Sequence, residues 1–289
     1  MRIAESELII NGDGTAFHLH MRPEQLANNV MLVGDPSRVD LISGFMTDIE
    51  CRNESREFVS VTGKYNGKRV TALSTGIGTD NIDIVMTELD ALANVDFATR
   101  EPKPRHRRLT ILRVGTCGAL HADIPLGSSI FSQWSIGHDG LLNWYSDIDK
   151  VTNRDMEDAY MRHMGWSRRL TVPYFVKASQ KLADRFKDSS FMGMTIAAPG
   201  FYGPQGRVVR LGLVDKDYLQ KVESFRYGDL RITNFEMEGS AIAGMAALLG
   251  HDAGTVCCAI ANRYLKSANT DYKPFVRSLI ELSLQKLTQ

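Results

Sequence analysis

A glutamine and an arginine stand two residues apart in Ala198-Pro199-Gly200-Phe201-Tyr202-Gly203-Pro204-Gln205-Gly206-Arg207, just after an aromatic pair. In extended backbone, residues i and i+2 share a side. An amide that both donates and accepts would then sit beside a fork of donors. Such a pair can read a flat ring with alternating C=O and N–H groups, such as uracil. A Gly/Pro-rich loop of this kind equally fits a solvated surface turn.

Three strand ends carry glycine-rich turns: Gly34-Asp35-Pro36-Ser37-Arg38, Gly76-Ile77-Gly78-Thr79 and Gly115-Thr116-Cys117-Gly118. Ligands of α/β sheets collect at the carboxyl ends of strands. Glycines there let backbone N–H groups approach an anion. Arg38 follows Gly34, and Arg113 lies near the end of an apolar strand, where an unpaired charge would be costly. Two arginines, the Thr116 hydroxyl and these amides make a phosphate site. The alternative is a structural ion pair for Arg113 and a surface turn for Arg38. Glu236-Met237-Glu238 follows a turn expected at Asn234-Phe235 and opens a helix. Its carboxylates could cap that helix, or one could accept from two vicinal hydroxyls of a sugar.

The elements that must position these groups alternate. Val30 to Val33 reads as a buried strand with a helix opening near Pro36. Phe58–Thr62 and Val70–Ser74 flank Asn66-Gly67, a hairpin signal. Ile82 to Leu92 has helical apolar spacing with Asp80 or Asn81 as its cap. Strands are expected at 109–114, 128–134, 193–197 and 254–261, and helices at 172–186, 237–249 and 274–287. The segment 141–166 shows no clear period. Alternation of this kind predicts a layered α/β fold. With 289 residues, 43% of them hydrophobic, the chain can bury a large core.

Lys plus Arg number 34 and Asp plus Glu 34, so no global basic field favours nucleic acid. The basic run Arg100, Lys103, Arg105, Arg107 and Arg108 reads as a solvated connecting loop. Cys51, Cys117, Cys257 and Cys258 form no disulfide framework, which predicts a reducing compartment. Glu5 and Glu7 near the start give no secretory pattern. His251 and Asp252 interrupt the most apolar region, arguing against a membrane span. A cytoplasmic protein without membrane or nucleic-acid partners is expected.

Taken together, the motifs resemble the nucleoside phosphorylases of the uridine phosphorylase type. The matching pieces are Phe17-His18-Leu19, Gly34-Asp35-Pro36-Ser37-Arg38, Arg56-Glu57-Phe58, Ser74-Thr75-Gly76-Ile77-Gly78, Arg113 to Gly118, Phe201 to Arg207, Glu236-Met237-Glu238 and Asn262-Arg263. They follow the family's order from residue 17 to residue 263.

The resemblance implies a single domain over residues 1–289: a three-layer α/β/α fold with a central mixed, partly barrel-like sheet. It implies reversible phosphorolysis of uridine, or of deoxyuridine and thymidine, in pyrimidine salvage. Phosphate is then the co-substrate and no cofactor is required. Gly34, Arg38, Arg113 and Thr116 would hold phosphate, joined by Arg56 from a neighbouring subunit. Met237 and Glu238 would bind the ribose, and a neighbour's His18 its 5′ hydroxyl. Gln205 and Arg207 would bind the uracil edge beside Phe201, Ile260 and Ala261, with Arg263 supporting their loop. Arg207, Gln205 and Arg113 would carry the catalysis. The shared sites imply a homodimer, alone or assembled into a hexamer.

The purine branch of the family typically has an Asp on the late strand, where Ala259-Ile260-Ala261-Asn262-Arg263 offers no carboxylate. A water-using nucleosidase would not need Arg38, Arg56 and Arg113. A nucleoside-binding protein without catalysis is the non-enzymatic alternative. Thr79-Asp80-Asn81 departs from the Gly-Pro-Ser-like continuation of bacterial uridine phosphorylases. There the resemblance implies a structural monovalent cation, K⁺, at Glu57, Ile77 and Asn81. Gly239-Ser240 in place of Ser-Ala suggests closer packing, and the 99–109 and 141–166 segments are longer than the bacterial pattern.

Overall fold

The computed structural model describes residues 2–289. Fourteen strands and seven α-helices follow one another in the order β1 (Asn29–Val33), α1 (Ser37–Ser43), β2 (Thr47–Ser55), β3 (Phe58–Tyr65), β4 (Lys68–Ser74), α2 (Thr79–Asn94), β5 (Val95–Asp96), β6 (Glu101–Pro102), β7 (Thr110–Ala119), β8 (Ser129–Gly137), α3 (Arg154–Met164), β9 (Tyr174–Lys177), α4 (Gln180–Phe186), β10 (Phe191–Ala197), α5 (Tyr218–Ser224), β11 (Arg226–Tyr227), β12 (Leu230–Glu236), α6 (Gly239–Leu249), β13 (Asp252–Asn262), β14 (Ser267–Ala268) and α7 (Lys273–Leu287). All strands but β5 and β6 join one sheet, whose path runs β11-β12-β10-β8-β13-β7-β1-β4-β3-β2. An additional pairing of β12 with β7 closes β7, β13, β8, β10 and β12 into a five-strand ring. The sheet is mixed: β1, β4, β7 and β13 run parallel, while β12 meets β7 antiparallel.

Successive side chains of a strand point to opposite faces, and β1 is buried on both. Val30 and Leu32 pack with Leu89 of α2 and Ile242 of α6. Met31 and Val33 pack with Ile42 of α1, Leu182 of α4 and Ile280 of α7. Two apolar layers on one sheet give the three-layer α/β/α arrangement expected from the resemblance, with the ring as its barrel-like part. The Asn66-Gly67 hairpin forms as expected, both residues having positive φ (49° and 74°).

Other elements differ from the sequence pattern. Residues 172–186 are not one helix: Tyr174 to Lys177 is a strand on the edge of β8, and the helix starts at Gln180. The aromatic and β-branched Tyr174-Phe175-Val176 fit a pleated, covered edge better than a helix. Gly115 to Gly118 is no turn either, because β7 continues through it and pairs with β13. Asn234-Phe235 likewise lies inside β12. Neither Asp80 nor Asn81 caps α2. Gly78 does, at φ 103°, while Asn81 donates to Glu57.

The basic run is not simply solvated. Arg100 donates to the Leu8 carbonyl, Lys103 to Ala93, Arg107 to Leu26 and Arg108 to Gly250. Long cationic side chains thereby satisfy backbone carbonyls of neighbouring segments, among them those near the ends of α2 and α6. The 141–166 segment contains two single 3-10 turns and α3, whose N-cap Asn153 accepts from the Met156 N–H.

Gly137 lies directly opposite Tyr174 in the β8–β9 pair. A Cβ there would fall inside the Tyr174 ring, which is 1% exposed and fixed by its hydroxyl bond to Asp139. Gly137→Ala is expected to destabilise the fold by about 3 kcal/mol. A lower urea midpoint at unchanged slope is the expected readout, and an unaltered midpoint would contradict this packing.

Candidate active site

A cleft of about 900 Å³ opens at the carboxyl ends of β1, β4, β7, β10, β12 and β13. That volume lies within the roughly 300–1,000 Å³ of small-molecule sites. Its wall includes Gly34, Arg38, Arg113, Thr116, Phe201, Gln205, Arg207, Met237, Glu238, Ile260 and Ala261. Residues up to 238 positions apart in sequence (34 to 272) are thus brought to one place.

Adjacent parallel strands β1 and β4 place two glycine turns side by side. A Cβ on Gly34 would lie 3.3 Å from the Gly76 carbonyl oxygen, so a side chain there would push the two turns apart by a few tenths of an ångström. Arg38 stands in the first turn of α1 and faces the cleft. It enters no ion pair among the described residues. A free guanidinium, the Thr116 hydroxyl and glycine amides here offer a set of donors suited to an anion.

Arg113 has a different environment. Its Nη1 lies 3.1 Å from Glu236 Oε2, and its Nη2 donates to Glu238 Oε2. All three side chains are buried. Burial opposes the arginine's charge, but Glu238 and Glu236 overcome this and raise its proton affinity above the ordinary value. Gly115 is required beneath it, because any Cβ would meet the guanidinium. The two glutamates divide the alternatives left open by sequence. Glu236 is the capping group: its carboxylate accepts from the Glu238 and Gly239 N–H groups, both at 2.9 Å, at the start of α6. Glu238 is free of that duty. Its Oε1 instead accepts from the Gly78 N–H at 2.8 Å.

Gln205 and Arg207 do meet, though not through extended backbone. Gly203–Gln205 is a single 3-10 turn closed by Gly206 at φ 72°, which folds Arg207 back. Arg207 Nη1 donates to Gln205 Oε1 and to the Phe201 carbonyl, and its guanidinium sits 3.8 Å from the Phe201 ring centroid. Burial and the Arg263 charge push Arg207 down to about 10, which leaves it cationic near neutral pH. Arg263 donates to the Gly206 carbonyl at 3.3 Å and so holds this turn from behind.

His18 and Arg56 do not line the cleft of their own chain. His18 Nδ1 lies 2.6 Å from Glu88 Oε1, and the Glu88 carboxylate also accepts the His18 and Leu19 N–H groups. Arg56 is exposed at the β2–β3 turn, at φ 55°. Glu57 Oε1 accepts from Asn81 Nδ2 at 3.2 Å. Asn81 thus presents its N–H rather than its oxygen to Glu57. Sequence reasoning passed over Glu88, Asn269, Thr270 and Tyr272, the last three lining the cleft. Helical periodicity hides Glu88, and the others follow a short β14 with no motif. Cys117 also lines the wall, but burial pushes its thiol well above the ordinary range, so it supplies surface rather than a nucleophile.

A five-strand ring with an arginine-lined cleft at its strand ends defines an enzyme of the nucleoside phosphorylase fold, a pentosyltransferase. The chain belongs to the phosphorylase superfamily, whose family model matches residues 29–287. It is 29% identical over 251 residues to a uridine phosphorylase of Thermococcus kodakarensis, covering 87% of this chain and 79% of that protein. It is 28% identical over 249 residues to a DeoD-type purine nucleoside phosphorylase of Alkaliphilus metalliredigens, covering 83% and 85%. Among solved structures, a Trypanosoma brucei nucleoside phosphorylase that shows uridine phosphorylase activity superposes with a TM-score of 0.89 at 29% identity, over 97% of this chain and 99% of that one.

Burial pushes Glu236 up to about 7 from its ordinary 4.5, with Arg113 opposing and Glu238 adding to the rise. The folded state then holds this proton more tightly than the unfolded chain. Its contribution is full below about pH 4.5 and is lost as pH rises through about 7. The stability of the wild type relative to Glu236→Gln should therefore fall between about pH 4.5 and pH 7 and level off above it. Chemical denaturation at fixed ionic strength checks the sign.

Proposed function

We propose that the protein is a uridine phosphorylase, converting uridine and phosphate reversibly to uracil and ribose 1-phosphate. The observation that carries this is the Gln205–Arg207 pair in the same cleft as Arg38, Thr116 and Glu238. An amide locked to a guanidinium presents the donors that a uracil edge needs. The late strand adds only Ile260 and Ala261 to the wall, with no carboxylate to protonate a purine nitrogen. Relatives with uridine phosphorylase activity are compatible with this choice, beside a purine nucleoside phosphorylase at similar identity.

In the proposed reaction the C1′–N1 bond lengthens through an oxocarbenium-like sugar. Phosphate held by Gly34, Arg38, Arg113 and Thr116 supplies nucleophile and compensating charge. Glu238 holds the vicinal hydroxyls beside Met237. Gln205 and Arg207 donate to the carbonyl oxygens of the departing base, and those bonds strengthen as it gains negative charge. Phe201, Ile260 and Ala261 give the base its apolar surface. Alignment of two substrates supplies much of the remaining acceleration.

Exposed Arg56 and the Glu88-oriented His18 act in a neighbouring subunit's cleft, so the proposed working unit is a homodimer in the cytoplasm, alone or within a hexamer. A K⁺ between subunits would require Asn81 to turn its oxygen toward Glu57. No described helix is long and apolar enough to cross a membrane.

Incubation with uridine, thymidine and inosine, with and without phosphate, tests the reading. Base release from uridine that requires phosphate is expected. Release without phosphate would refute phosphorolysis, and activity confined to inosine would assign the purine branch. Arg207→Ala should lower kcat/KM for uridine by about 100-fold, roughly 3 kcal/mol, at a nearly unchanged Tm.

A further inference from the structure

Glu238 and Arg113 are the residues proposed for the two substrates, and in the structure they hold each other. Arg113 Nη2 donates to Glu238 Oε2, Nη1 is turned to Glu236, and Nε is buried with no partner. Glu238 has its other oxygen on the Gly78 N–H. A guanidinium placed between two carboxylates has its charge balanced locally and offers little to an approaching oxyanion. A carboxylate already accepting a charge-assisted bond and an amide offers little to a pair of hydroxyls.

We infer that the Arg113–Glu238 contact is a latch that couples the phosphate and ribose subsites. A diol that draws Glu238 away leaves Arg113 Nη2 without its acceptor, and only Glu236 remains on Nη1, so an oxyanion can take the vacated side. A phosphate that draws Arg113 away leaves Glu238 open to hydroxyls. The first ligand breaks the contact and the second does not have to, so each tightens the other's binding, reciprocally. Gly78 places the turn before α2 under the same control, since Glu238 is its acceptor. This inference rests on the nucleoside–phosphate reading of the cleft.

Calorimetric titration with phosphate, and with uridine in the presence and absence of sulfate as an unreactive anion, tests it. Sulfate should tighten uridine about 5-fold in the wild type, within the usual range of coupling between sites. Glu238→Gln removes the carboxylate charge, and Glu238→Asp keeps the charge but withdraws it by one methylene. Both should bind phosphate more tightly than the wild type, a gain that a damaged fold would not produce, and both should lose the sulfate effect on uridine. Independent binding of uridine and sulfate to the wild type would overturn the latch. So would a gain seen with Gln alone, which is the result expected of net charge without the contact. If uridine binds under no condition, the functional reading fails, and phosphate affinity in the two variants still decides the latch.

Discussion

The buried guanidinium of Arg113 is the constraint around which the site is arranged. Placing a full charge on a strand with apolar neighbours is tolerable only if anions and donor geometry are supplied in place. Glu236 and Glu238 supply them from the end of β12, across the β7–β12 seam of the ring. Each of them binds a further element: Glu236 the first turn of α6, and Glu238 the Gly78 turn that starts α2. One cation thus fixes a strand, a helix start and a loop together. The glycine at 115 is a consequence, since the strand must carry no side chain under the guanidinium. A pair of this kind adds little net stability but positions its members sharply.

Much of the site was legible because its motifs are local. Gly34-Asp35-Pro36, Glu236-Met237-Glu238 and the Gln205/Arg207 loop each state their chemistry within a few residues, and all three line the cleft. What sequence could not show was partnership between distant residues. Nothing near Arg113 reveals whether its counter-ion is a substrate or a glutamate more than 120 positions away, and the structure gives the glutamates. Glu88 was hidden for the same reason, as its ligands are backbone N–H groups seventy residues earlier. The fold was readable where apolar runs were bounded by turns, as at β1, β3 and β4. It was misread at 172–186, where covered strand and helix share an apolar composition that period alone does not separate.

The basic 99–109 segment shows a different limit. Its charges suggest solvent, yet four of them end on backbone carbonyls of neighbouring elements. Counting charge gives polarity, and it does not give the destination of the donors. Two of the side chains tie the connection between α2 and β7 to helix ends, Lys103 to Ala93 of α2 and Arg108 to Gly250 after α6, and Arg100 ties it to the N-terminal segment at Leu8.

The ring is closed by two residue pairs, Asn234 with Ala119 and Phe235 with Gly118. These join positions more than a hundred residues apart, so closing the seam carries a large loop-closure cost. An Arg113 in a chain with an open ring would have to keep its hydration, and the surrounding β7 would stay wet. Closing the ring, drying that strand and pairing the charges are thereby coupled, since each needs the end of β12 beside β7. A chain with the ring open holds no complete cleft, because the anions that make a dry Arg113 tolerable come from the end of β12 that this seam brings to β7.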